Sequence, residues 1–172
     1  MVRIRTMTEA DVDTVAEIRV RGWQAAYAGL MPQAFLDAMS VTEEKARRRD
    51  IWQATRGHRI NLVAEDEGRV AGWACYGPER EGPAGHGELY ALYVRPSLIG
   101  TGIGRALCCA ALVGAAECGY ARMVLWVVKG NTRARRFYER AGFAADGAEE
   151  AYDVGGTPVP EVRYVLEPVR AP

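Results

Sequence analysis

The residues Gly100-Thr101-Gly102-Ile103-Gly104-Arg105 are the part of the chain best suited to chemistry. They follow an apolar, strand-like segment ending at Val94 and run into an apolar, helix-like one. Glycines at alternate positions let the backbone adopt positive φ and approach a ligand closely. The first N–H groups of a helix lack partners and its macrodipole favours negative charge, so the turn predicts a cradle for a phosphate group. Two familiar cradles do not fit. Arg105 stands where the dinucleotide-binding pattern needs its last glycine, and no Gly-Lys-Ser/Thr follows as a P-loop requires.

Two titratable side chains flank this turn. Glu88 opens the strand-like segment before it, and Tyr138 falls in the helix-like segment after it. Within that helix Ala134, Phe137, Tyr138 and Ala141 share one face by the i, i+3, i+4, i+7 rule, which turns Tyr138 inward and the arginines outward. Asn131 lies two turns earlier on the same side, where it also suits an N-cap.

Read in order, Glu88-Leu89-Tyr90-Ala91-Leu92-Tyr93-Val94, the glycine turn, and Asn131 through Tyr138 to Gly142-Phe143 resemble the GNAT superfamily of acyl-CoA-dependent N-acyltransferases. The matching core runs from about Leu62 to Phe143, and Trp23 to Pro32 is similar to members of the superfamily as well. One position departs from the pattern. The family's cradle usually reads Arg/Gln-x-x-Gly-x-Gly/Ala, and Ile99 occupies the place of the Arg or Gln.

The resemblance implies an N-acetyltransferase that uses acetyl-CoA and no metal. It would transfer the acetyl group by direct attack in a ternary complex to a primary amine of a small molecule or peptide. Main-chain donors of Gly100, Thr101, Gly102, Ile103, Gly104 and Arg105 would hold the pyrophosphate. The N–H of Leu92 would polarise the acetyl carbonyl, while Tyr93 and Val94 pair with the pantetheine like an added strand. Asn131 would meet the pantetheine with its amide, or simply cap its helix.

Tyr138 would be the acid. A phenol with an ordinary pKa near 10 can donate to a departing thiolate whose conjugate acid sits near roughly 8.5; the competing role is core packing. Glu88 would be the base that relieves an attacking ammonium of its proton, against a role as a solvated strand edge. Tyr90 and Cys75 are less favoured alternatives. Trp23 and Tyr27, four apart, would form an apolar lid or cation–π wall for the amine, or else staple their helix to the sheet. A non-catalytic acyl-CoA sensor of the same fold is the main rival, and nucleotide binding without acyl transfer a distant third.

Composition narrows the setting. With 172 residues the chain reads as one domain, 1–172, able to bury a proper core. Its 22 basic residues are balanced by 22 acidic ones spread along the chain, which argues against a nucleic-acid partner. Arg47-Arg48-Arg49, the densest basic run, reads as the solvated face of a helix. No stretch approaches the roughly 18 to 20 apolar residues of a membrane span, and no export signal opens the chain. Cys75, Cys108, Cys109 and Cys118 have no metal-ligand spacing and point to a reducing, cytoplasmic setting. His58 and His86 are the only imidazoles, too few for a zinc site or a histidine-based triad. Either a monomer or a homodimer fits this composition.

The elements that must position these residues follow from periodicity. Val2 to Thr6 predicts a strand, Thr8 and Asp11 a capping box opening a helix to about Arg21, and Gly29 to Pro32 a break. A short helix after Pro32 and another from Ser40-Val41-Thr42-Glu43 to about Ala54 come next. The period then changes to that of a hairpin, Ile60 to Ala64 and Val70 to Tyr76 around Asp66-Glu67-Gly68, with Pro78 to Gly87 as loop and a strand from Glu88. Gly104 to Cys118 predicts a helix apolar nearly all round, hence covered on both sides. A strand over Arg122 to Val127, the Asn131 helix ended by Gly142, and a last strand over Val162 to Leu166 complete an α+β fold. Its mixed, mostly antiparallel, GNAT-like central sheet is flanked by helices on both faces.

Overall fold

The computed structural model describes residues 1–169; the last three residues of the expected single domain lie outside the described residues. β1 (Arg3–Thr6), α1 (Val12–Ala26), α2 (Gln33–Ala38) and α3 (Val41–Thr55) precede the hairpin of β2 (Ile60–Asp66) and β3 (Arg69–Pro78). β4 (His86–Val94), α4 (Ile103–Glu117), β5 (Arg122–Val128), α5 (Thr132–Arg140), β6 (Ala144–Val154) and β7 (Thr157–Leu166) follow. The seven strands form one sheet in the order β1-β2-β3-β4-β5-β7-β6, antiparallel except where β4 meets β5.

Local chemistry explains most boundaries. The main-chain N–H and hydroxyl of Thr8 both donate to Asp11, closing the expected capping box on a 3-10 turn that leads into α1. Ser40 accepts from the N–H of Glu43 and starts α3. Gly142, at φ 98°, ends α5 in the left-handed conformation a C′ glycine takes without strain.

α4 and α5 pack on one face of the sheet around the fully buried Ile103, Leu107, Met123 and Leu125. α1 and α3 cover the other face, where Val12 and Val15 meet Val63, Trp73 and Cys75. Beyond them, Trp23, Leu36, Val128, Val154 and Val159 join α1 and α2 to the far end of the sheet.

The sequence-based expectations differ from this fold at four places. α1 runs past Arg21 to Ala26, because the residues before Gly29 still have an apolar face to bury. The strand predicted from Val162 begins at Thr157 and pairs with β6, a mostly exposed strand whose residues AADGAEEAYDV carry almost no apolar alternation. The outer side of α4 is not covered: Val113 is 36% exposed, and small residues such as Ala106, Cys109 and Ala110 half-bury the rest. Finally, Arg48 is not on a solvated face. It pairs with Glu44, which also binds Arg19 and is itself buried, and its guanidinium lies 5.4 Å from the centre of the Trp73 ring.

Candidate active site

β4 and β5 pair only over His86–Glu88 and Arg122–Val124 and then diverge. From Leu89 onward β4 has no ladder partner on its β5 side, while β5 keeps its antiparallel partner β7 to Val128. A V-shaped opening results, with Glu88 at its apex and Tyr93, Val94 and Val128 at its mouth. A bulge helps create it: Tyr76 pairs with Leu89 but Cys75 with Ala91, so Tyr90 is an extra residue that bends β4 away.

The glycine turn closes the mouth. Arg95 ties the end of β4 to β3, its backbone N–H donating to Ala71 at 2.8 Å and its side chain to the Val70 carbonyl at 2.9 Å. Gly100 and Gly102 lie at φ 92° and 94°, and Gly102 is the N-cap of α4 with no side chain completing the cap. Among the described residues, the N–H groups of Gly102, Ile103, Gly104 and Arg105 have no acceptor, and the first bond back to the turn is Ala106 to Gly102. A Cβ on Gly104 would touch Phe137 and Val94 at 3.6 Å, so α4, α5 and β4 converge here. Ile99 is exposed beside this turn. These free donors and the unpaired edge of β4 fit a pyrophosphate followed by an extended, amide-bearing chain.

α5 supplies the opposite wall. Ala134, Phe137, Tyr138 and Ala141 all pack toward the core, as their spacing predicts. Tyr138 sits edge-on to Phe137 and Phe143, and burial, with Cys108 and Tyr93 nearby, holds its phenol well above the ordinary value. It is therefore a neutral donor at neutral pH. Asn131 is the N-cap of α5, its side-chain oxygen accepting from Ala134 N–H at 3.1 Å; this leaves its NH2 group as a donor.

The α1 side forms the third wall. Trp23 and Tyr27 meet edge to face at 5.1 Å, which realises the shared face expected for them. Trp23 is 7% exposed and packs in the core with Val128 and Val159, joining α1 to the sheet. Tyr27 shares a hydrogen bond of 3.2 Å between hydroxyls with Tyr93, which in turn stacks on Trp73. Gly22 lets α1 come this close, since a Cβ there would stand 2.8 Å from the Tyr93 ring.

Glu88 is 2% exposed and is not a solvated edge. Its carboxylate accepts from the Arg80 side chain at 2.6 and 3.0 Å and from the Arg80 main-chain N–H at 3.1 Å. The two lesser alternatives lose ground for a physical reason. Burial pushes both the Cys75 thiol and the Tyr90 phenol up to about 12, which keeps each protonated at neutral pH, and the Tyr90 hydroxyl already donates to the Pro78 carbonyl.

Sequence reasoning missed Arg80, Glu150 and Glu161. Arg80 lay in a segment read only as loop. Glu161 lies on β7 opposite Val128 of β5 and Glu150 of β6, on the face shared with Trp23. Burial and then Glu150 push its carboxyl up to about 7. The alternation of Val159, Glu161 and Arg163 against Val162 and Tyr164 was the available signal.

Residues 23–143 match the family model described as acetyltransferase (GNAT) family. The chain belongs to the acetyltransferase (GNAT) family. As a GNAT member it is an N-acetyltransferase that draws its acetyl group from acetyl-CoA. Among its relatives is N-acetyltransferase YuaI of Bacillus subtilis, 26% identical over 94% of this chain and 91% of that protein. Mycothiol acetyltransferase of Salinispora tropica is 34% identical over 76% of this chain and 44% of its own length. The GNAT fold is also that of PaiA N-acetyltransferase from Thermoplasma acidophilum in complex with coenzyme A. The TM-score to it is 0.76 at 20% identity, over 97% of this chain and 99% of that one.

Proposed function

We propose that the GNAT chain acetylates a primary amine of a small molecule or peptide by direct attack within a ternary complex at the β4–β5 opening. The observation that carries this reading is the coincidence, at one mouth, of an unpaired strand edge, four free helix N-terminal donors and the inward phenol of Tyr138.

Acetyl-CoA supplies the thioester. The free backbone donors of Gly102, Ile103, Gly104 and Arg105, with Gly100 beside them, hold its pyrophosphate, while the Thr101 N–H donates within the turn to the Leu98 carbonyl; an exposed Ile99 in place of the usual Arg or Gln is tolerated because the anion is met by main chain. Tyr93 and Val94 extend the sheet by pairing with the pantetheine, to which Asn131 offers its side-chain NH2. The N–H of Leu92 polarises the acetyl carbonyl. Tyr138 gives the sulfur its proton as the C–S bond breaks.

The amine enters from the α1 side, over Tyr27 and the edge of Trp23, with Glu88 and its partner Arg80 deeper in the opening. The aromatic rings favour an ammonium or its alkyl stem. Free cysteines, two of them buried, suit a reducing cytoplasm.

Acetyl-CoA mixed with the protein and a panel of primary amines tests the reading, with release of free thiol as the readout. Amine-dependent release supports it. Acetyl-CoA binding with no release for any amine would establish the sensor instead.

A further inference from the structure

The acidic group best placed for the attacking amine is not the one at the apex. Glu88 is buried beneath Arg80 with both carboxylate oxygens engaged, and it lies where β4 and β5 are still paired. Glu161 lies at the open end, level with Val128, the last residue of β5. Its strand face carries Val159, which packs with Trp23 and Val128, so the side chain projects toward α1 and the amine's entrance. There Tyr27 and Tyr93 both feel its charge.

Resting on the acetyltransferase reading above, we infer that Glu161 accepts the proton of the incoming amine, and that Glu88 is a positioning residue that holds Arg80. The groups facing Glu161 come from each neighbouring element: Glu150 from β6, Arg80 from the β3–β4 loop, Glu88 from β4 and Tyr27 from α1. Burial and the two carboxylates raise its pKa and Arg80 lowers it, leaving it at about 7. A base with that affinity is half ionised near neutrality, where proton transfer from an ammonium is most effective.

The step balances. An ammonium proton passes to the Glu161 carboxylate, directly or through one water. The nitrogen lone pair then forms the C–N bond to the acetyl carbon while the C–S bond breaks. Sulfur takes the Tyr138 proton, and the second nitrogen proton returns through water to Tyr138. Glu161 releases its proton to solvent, so the products are one amide, one thiol and one proton.

The test is the pH profile of kcat/KM for an amine that the wild-type protein acetylates, alongside acetyl-CoA binding. Glu161→Gln is expected to lose on the order of 10²-fold near pH 7, progressively less as pH approaches the amine's own pKa, with acetyl-CoA binding kept. Glu161→Asp should restore part of the rate. Glu150→Gln, at an exposed position that leaves the fold alone, should move the acidic limb to lower pH by removing a raising charge. Glu88→Gln should instead lower activity in parallel across the range. An active wild type with an unchanged profile in Glu161→Gln overturns this assignment alone. A wild type that binds acetyl-CoA yet acetylates no amine overturns the acetyltransferase reading and this assignment together.

Discussion

The hydroxyls of Tyr27 and Tyr93 lie 3.2 Å apart and tie the end of α1 to the free edge of β4. Through this contact the wall that meets the amine is fixed to the strand that meets the pantetheine. Trp73 supports the arrangement from behind, stacked on Tyr93 with an interplanar angle of 16°.

Tyr27→Phe should therefore raise the KM for the amine while leaving acetyl-CoA affinity nearly unchanged. Loss of one partly buried hydrogen bond costs about 1 kcal/mol, too little to unfold the domain. Trp23→Leu is a poorer probe, because Trp23 is part of the core and its truncation lowers melting temperature whatever it does to the amine. Steady-state kinetics of both variants with a melting curve for each checks the contrast.

Tyr138→Phe should keep acetyl-CoA binding and lower kcat by about 10²-fold if the hydroxyl protonates sulfur. Both side chains fill the space between Phe137 and Phe143, so the fold is preserved. Single-turnover measurement isolates the chemical step.

Acetyl-CoA at a hundredfold excess over its Kd should stabilise the native state by about 2.7 kcal/mol. Gly102→Val should abolish that shift, since a β-branched residue is strained at φ 94° and its side chain would crowd the anion. Thermal denaturation with and without acetyl-CoA reads the difference.

Asp11 makes folding stability depend on pH. Hydrogen bonds from Arg5 and Thr8 lower its carboxyl from 3.8 to about 2. A lowered pKa means that the unfolded state binds the proton more readily, so the contribution is present in full above pH 4 and disappears as pH falls toward 2. Its size is about 2 kcal/mol. Asp11→Asn should remove this part of the acid dependence, as denaturant titrations between pH 2 and 6 would reveal.

The sequence announced the glycine turn because positive φ restricts residue choice, and two of its glycines do take that conformation. The inward face of α5 was equally legible, since 3.6-residue periodicity alone decides which way Tyr138 points. β6 was not: an edge strand with one exposed face and an irregular register near Gly147 has little apolar alternation to display. Glu161 and Arg80 escaped for another reason. Their significance lies in what stands opposite them, across β5 and across the loop from Glu88, and pairing between distant segments leaves no local mark. Arg48 likewise read as solvated because the buried Glu44 that neutralises it, one turn away, could not be told from a surface acid.

The most direct test of acetyl transfer within a ternary complex is the stoichiometry of a single turnover followed by mass spectrometry. Protein, acetyl-CoA and a substrate amine together should yield one free thiol for each acetylated amine. Protein and acetyl-CoA alone should yield neither a burst of thiol nor an acetylated form of the protein. A burst with acetyl-protein accumulating before amine is added would contradict direct attack, and thiol released without any acetylated amine would contradict the transfer itself.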